Sequence, residues 1–291
     1  MTFHPPTLRL RYGSGTEARE PDRARLEADR LGGARIPTFA QIVAKYPDFA
    51  VAECVYAAGS LVQGWGHAAS DLDLYLVTEE PLVPGGELES FVRHVSTADP
   101  VIRIVLGEFG AFRADIELWR AAQIDEIIGR FTGGTPDQEK PELDKSEQDL
   151  LYRLVSGRPL HGEEWWAKRR EAILTSGYGT WLAENRKLTA ETFLEDVGGL
   201  LRSGDPESAV LAAQEAFTGA LEAALAVHGD FSINRKWLHR RLRATPLPEL
   251  DRDEAWTLLT MTGAQADPAG WAERAARTAQ RLLLSVEGSA R

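Results

Sequence analysis

Residues 52–78 constrain the fold more than any other part of the chain. An apolar run from Ala52 to Ala58 ends at Gly59-Ser60, and after a ten-residue spacer Asp71-Leu72-Asp73 opens a second apolar run. In that second run Leu72, Leu74 and Leu76 fall on one face and Asp71 and Asp73 on the other, the period of two that marks a strand. Two side chains on one strand face lie roughly 6.6 Å apart at the backbone, so these carboxylates can converge on one hard cation. Mg²⁺ is usually held by one or two carboxylates, with waters and substrate phosphates completing its shell. Gly59-Ser60 falls where the first strand gives way to a turn or short helix. Glycine there lets the backbone approach a phosphate, and the amides of a helix start attract anions. Alone, a Gly-Ser reads as a turn and an Asp-x-Asp as a solvated strand face. In this order, between two buried strands, they read as a phosphate cradle beside a metal site.

A later stretch, Phe112 to Trp119, alternates in the same way. Arg113, Asp115 and Glu117 share one face, and Ala114, Ile116 and Leu118 the other. The bland reading of this face is a solvated one, with Arg113 pairing its acids.

The Gly59-Ser60, ten-residue spacer and Asp71-x-Asp73 pattern resembles the DNA polymerase β-type nucleotidyltransferase superfamily. The spacer is similar in length to that of its antibiotic-modifying branch, the aminoglycoside nucleotidyltransferases. The resemblance implies an α+β fold: a polymerase β-like domain with a mixed sheet and flanking helices, followed by an all-α helical bundle. It implies two Mg²⁺ ions and a nucleoside triphosphate, ATP being the expected one. The reaction would place a nucleoside monophosphate, AMP, on a hydroxyl of a small molecule such as an antibiotic and release pyrophosphate. The superfamily adds a third carboxylate from a later strand, for which Asp115 is the candidate and Glu117 the second. The implied catalytic set is Asp71, Asp73, Asp115 and Glu117, with Asp71, Asp73 and Asp115 as metal ligands and Gly59 and Ser60 on a phosphate. Either Asp115 or Glu117 would also serve as general base.

Composition narrows the alternatives. The 291 residues suffice for two ordinary domains, with 43% hydrophobic and 26% charged content, as in a folded globular chain. The net charge of −11 argues against broad nucleic-acid binding, which needs a basic footprint, and is compatible with a cationic small substrate such as an aminoglycoside. The single cysteine, Cys54, excludes an internal disulfide and reads as a buried thiol. Six histidines show no paired spacing, which speaks against zinc. No signal-peptide layout and no run of about 18 apolar residues is evident, so a cytoplasmic chain with no membrane partner is expected.

Residues 1–36 read as a polar extension. A helix is expected over 38–47, strands over 51–58 and 71–78, a helix over 87–96, a hairpin of strands over 100–107 and 111–119, and a helix over 121–130. The Gly/Pro-punctuated loop after Thr132 places a boundary between a domain at 37–131 and a helical domain at 145–291. Val210, Ala213, Phe217, Leu221, Ala224 and Leu225 stripe one long helix over 206–228, within a bundle of about five. The run Asn234 to Arg241 is basic within an acidic chain. Arg235 and Lys236 are candidates for the triphosphate, against a solvated helix end. Trp165-Trp166 reads as core or interface, with core the better fit. His67 reads as a loop residue near the phosphate or simply solvated. Glu191, Glu195, Glu215 and Glu222 are open candidates for a base on the acceptor side.

Two other functions stay open: transfer to a macromolecular hydroxyl, on a tRNA end or a protein, and a catalytically silent nucleotide-binding module.

Overall fold

The computed structural model describes residues 36–67, 69–85, 88–110, 112–132 and 141–289. The expected extension at 1–36 lies almost wholly outside them, as does most of the loop at the expected boundary. In chain order the elements are α1 (Phe39–Lys45), a 3₁₀ turn (Pro47–Val51), β1 (Cys54–Ala58), α2 (Gly59–Val62), β2 (Leu72–Thr78), β3 (Ser90–His94), β4 (Val101–Phe109), β5 (Phe112–Arg120) and α3 (Ala121–Gly129). After these come α4 (Lys145–Ser156), β6 (Arg158–His161), α5 (Glu163–Leu174), α6 (Tyr178–Ser203), α7 (Pro206–Val227), a 3₁₀ turn (Arg235–Trp237), α8 (Leu238–Ala244), α9 (Arg252–Leu259) and α10 (Pro268–Ser289). The α+β class holds: a mixed six-stranded sheet with flanking helices, then a mostly helical remainder.

The sheet runs β3-β4-β5-β2-β1-β6. Only β2 and β5 are parallel, and Asp73 is in register with Asp115 across that pair. Alternation sends the two faces to different partners. Val55, Ala57, Leu72, Leu74, Leu76, Ala114 and Ile116 pack with Ile42, Tyr46 and Phe49 from α1 and the turn after it. Tyr56, Tyr75, Val77 and Trp119 on the opposite face belong to the core that includes the helical half. The aspartate-bearing face is therefore polar only at one end of β2 and β5. Two residues further along it is buried, and Tyr56 and Tyr75 stack there at 4.9 Å.

Two expected elements differ. The helix expected over 87–96 is the edge strand β3 over its described part, paired only with β4. Phe91 and Val92 are about half exposed, so neither face carries the burial alternation that identifies a strand in sequence. The second difference is β6, four residues within a region read as helical. It pairs with the free edge of β1, and its Pro159 sits on an edge strand, where a missing N–H is tolerated. The sheet is thus completed from beyond the expected domain boundary. More helices form than expected, seven from α4 onward among the described residues.

Helix α7 carries the expected stripe and is buried all round from Ala216 to Ala226. By length and composition alone it is long and apolar enough to cross a membrane. However, 78% of its most apolar window lies inside the bundle, as in a core helix. Trp165 and Trp166 pack against the same core, and the Trp166 indole N–H donates to Leu154 O at 3.0 Å.

Candidate active site

Each side chain of the site is placed by an ordinary local rule. Asp71 precedes β2 and Asp73 lies one pleat along it, so both face away from the Leu72–Leu74–Leu76 core. Asp115 enters the same wall because β5 runs parallel to β2 in matching register. Glu117, one pleat further, is opposite Tyr75. Its carboxylate accepts the Trp119 indole N–H at 2.9 Å and pairs with Arg93 at 3.3 Å. Gly59 opens α2 with φ +79°, a conformation that suits glycine. A Cβ there would overlap Asp73 Oδ2, so glycine is what lets this carboxylate lie against the strand end.

The opposite wall comes from the helical half. Arg153 of α4 meets Asp73 at 2.8 Å and Asp149 at 3.1 Å. Asn234 caps the turn that presents Arg235 and Lys236, accepting from Lys236 N at 3.2 Å. Trp65, from the spacer after α2, meets Trp237 with ring centroids 5.7 Å apart and links the two walls.

Two adjoining cavities lie between these walls. The smaller, about 260 Å³, is lined by Gly59, Ser60, His67 and Asp71, and the larger, about 770 Å³, by Phe91, Arg93, Glu117, Lys145 and Arg235. Asp73, Asp115, Asp149, Arg153, Asn234 and Lys236 line both. The structure thus gathers Gly59, Ser60, Asp71, Asp73, Asp115, Glu117, Arg235 and Lys236 around one double cavity. It separates Glu117 from the Gly59-Ser60 end. Glu191, Glu195, Glu215 and Glu222 line neither cavity: Glu215 and Glu222 pair with Arg235 at 2.8 and 3.5 Å. His67 borders the smaller cavity, with its Nδ1 accepting from Ala69 N at 3.1 Å. Cys54 is fully buried, and burial pushes its thiol up to about 12.

The carboxylates are electrostatically crowded. Burial raises Asp73, against the opposing pull of Arg153, and burial followed by the neighbouring Asp71 raises Asp115. Burial also raises Glu117. Asp71 pairs with Arg113 at 3.4 Å. With Asp71 and Asp73 each turned onto an arginine, no three Asp, Glu, His or Cys side chains among the described residues come together as a metal-holding group.

Asp149 and Arg153 are the residues that the sequence pattern missed. Their spacing of four on the polar side of α4 was a signal, but such pairs are also common on solvated helix faces.

Gly59→Ala should be costly. An L residue at this φ costs roughly 1–2 kcal/mol, and the methyl must also displace the Asp73 carboxylate. Thermal unfolding should show a melting temperature lower by several degrees; an unchanged value would mean that the turn relaxes around the methyl.

No family model matches the sequence, and no curated protein sequence matches it. Among solved structures the chain is similar to a nucleotidyltransferase-like protein from Exiguobacterium sibiricum 255-15, with 11% identity and a TM-score of 0.43. The match covers 87% of this chain and 75% of the other. The function proposed below is carried by the geometry of the site, not by that likeness.

Proposed function

We propose that this chain is a nucleotidyltransferase that moves a nucleoside monophosphate from a nucleoside triphosphate, ATP first among candidates, to a hydroxyl of a small molecule. The observation that carries the proposal is the in-register pair Asp73 and Asp115, with Asp71 on the same wall and Gly59-Ser60 at its end.

The residues fit a hard divalent cation in kind. Every donor is a carboxylate oxygen, the three share one wall, and burial with nearby negative charge favours neutralisation of the charge on Asp73 and Asp115. Asp71, Asp73 and Asp115 would hold the ions, with Arg153 and Arg113 giving up their partners. Divalent ions, when bound, would neutralise charge on the phosphates and lower the pKa of the attacking hydroxyl. The protein's own groups do the rest. Ser60 and Lys236 face the smaller cavity and would hold the phosphates that do not react. Asp115 lies on the wall common to both cavities, placed to take the proton of an acceptor hydroxyl in the larger one. Glu117 is engaged by Trp119 and Arg93, which leaves it a supporting role.

The test is pyrophosphate release by purified protein with each nucleoside triphosphate, Mg²⁺ and a panel of hydroxylated small molecules, with and without chelator. Release that needs Mg²⁺ and an acceptor supports the proposal, and full turnover in excess chelator overturns the metal part of it. The ion pairs of Asp71 and Asp73 favour a second function, a nucleotide-binding module without turnover. Nucleotide binding by calorimetry without pyrophosphate release on any acceptor would select it.

A pH dependence follows from the same groups. Asp73, Asp115 and Glu117 all hold protons more tightly folded than unfolded. Above the ordinary carboxylate value, near 4, the native state therefore binds more protons than the unfolded chain, and stability falls as pH rises through the raised values. Without metal, this site's contribution should make the melting temperature decline as pH rises above about 4. Added Mg²⁺ should raise it more at pH 7 than at pH 5. An equal gain at both would show that these carboxylates do not bind the ion.

A further inference from the structure

The charge in the larger cavity bears on the acceptor. Four carboxylates line it: Asp73, Asp115, Glu117 and Asp149. Asp73 and Asp149 share Arg153, Glu117 is held by Arg93, and only Asp115 forms no ion pair among the described residues. Of the five cations in the lining, Arg235 is turned onto Glu215 and Glu222. Lys145 and Lys236 have no carboxylate partner among the described residues. The Lys236 ammonium sits 5.1 Å from the Trp237 ring centroid and also faces the phosphate end, whereas Lys145 lines the larger cavity alone.

Lys145 is also in the wrong place for the stability of its helix. It is the first residue of α4, where the positive end of the helix dipole disfavours a cation. The adjacent Asp144 carboxylate is turned to the Glu147 amide as a cap. On the sheet side the same cavity presents the half-exposed Phe91 beside the buried Ile104.

On the nucleotidyltransferase reading above, we infer that the acceptor is a hydroxylated molecule bearing an anionic group, a carboxylate or a phosphate monoester, that Lys145 reads. It is not the polycation that the overall charge of the chain suggests. Divalent ions on Asp71, Asp73 and Asp115 would remove negative charge from this cavity and disfavour a polycation further.

The experiment compares four phenols that differ in charge: para-hydroxybenzoate, para-hydroxyphenyl phosphate, neutral para-hydroxybenzyl alcohol and cationic tyramine. Binding is measured by ligand-observed NMR, with Mg²⁺ and a non-hydrolysable ATP analogue, on the whole chain and on Lys145→Gln. The two anions should bind about tenfold tighter than the neutral phenol, the scale of one hydrogen bond to a charged group, with tyramine weakest. The two anionic arms tell carboxylate from phosphate. Lys145→Gln should lose that preference, keep its affinity for the ATP analogue, and melt at the same temperature or higher. The inference is overturned if tyramine or the alcohol binds as well as the anions, or if the variant keeps the preference. It is equally overturned if the variant loses the ATP analogue, since Lys145 would then belong to the triphosphate. If the wild-type chain does not bind the analogue, the nucleotidyltransferase reading fails; the ranking of the phenols, repeated without nucleotide, still decides the charge preference.

Discussion

Asp73→Asn should lower turnover about a thousandfold while leaving the chain folded. The change keeps the side-chain volume and removes one charge from the proposed metal-ligand set. Lost stabilisation of phosphate charge by a metal is worth several kcal/mol in the transition state, and each 1.4 kcal/mol is tenfold in rate. The effect on stability is the balance of two terms. Arg153 loses its 2.8 Å partner but retains Asp149 at 3.1 Å. Against that, burial makes the Asp73 charge unfavourable in the folded state, and the amide removes this cost. Steady-state kinetics beside thermal unfolding separates the two quantities. Turnover near that of the wild type would remove Asp73 from the metal site. A collapse in melting temperature would make its pairing with Arg153 structural.

Glu222→Gln should be the most destabilising single change away from the cavities. Glu222 is 3% exposed in α7, with Arg186 at 3.7 Å, Arg235 at 3.5 Å and Arg241 at 4.0 Å around it. Arg241 is 1% exposed, and its other carboxylate is Asp230 at 2.9 Å. Removing one partner of a buried ion pair leaves an uncompensated charge and costs about 3–5 kcal/mol, whereas replacing both partners with apolar groups is often neutral. The melting temperature of Glu222→Gln should fall by roughly 6–12 °C at the lower figure. Glu222→Leu with Arg241→Met and Asp230→Asn should recover most of that loss, because no uncompensated charge is then left among the three most buried members. A triple variant as unstable as the sum of its single changes would show that this cluster is not the unit. Because Arg235 reaches from this cluster to the larger cavity, Glu222→Gln should also loosen that wall, and equilibrium nucleotide binding would register the change.

The sequence made one face of the site legible and left the other dark, for a physical reason. Asp71, Asp73 and Asp115 could be placed because a strand side chain has only two directions, and Leu72, Leu74, Ala114 and Ile116 take one of them. Asp149 and Arg153 have no such constraint. A helix offers many outward directions, and an acid and a base four residues apart suit any solvated helix. Lys236 was found because a basic run stands out in an acidic chain, but its approach to Ser60 is a matter of how two halves of the chain pack. The edge strands failed differently. Strand β3 buries neither Phe91 nor Val92, and β6 has four residues, one of them proline, so neither has the period that periodicity reads. Both exist because β4 and β1 present open edges.

The late sixth strand has a consequence for how the chain can be divided. A piece ending at residue 131 would carry all three aspartates and the glycine turn, and would look like a self-sufficient catalytic unit. It would also leave β1 with a row of unsatisfied peptide groups along one edge, and lay Tyr56, Tyr75 and Trp119 open to water. An open edge beside an aromatic surface is a template for self-association. The ribosome faces the same interval, since 37 residues separate the last aspartate-side strand, ending at Arg120, from the one that seals the edge, starting at Arg158. Until that segment emerges, the most reactive-looking part of the molecule is also its most adhesive.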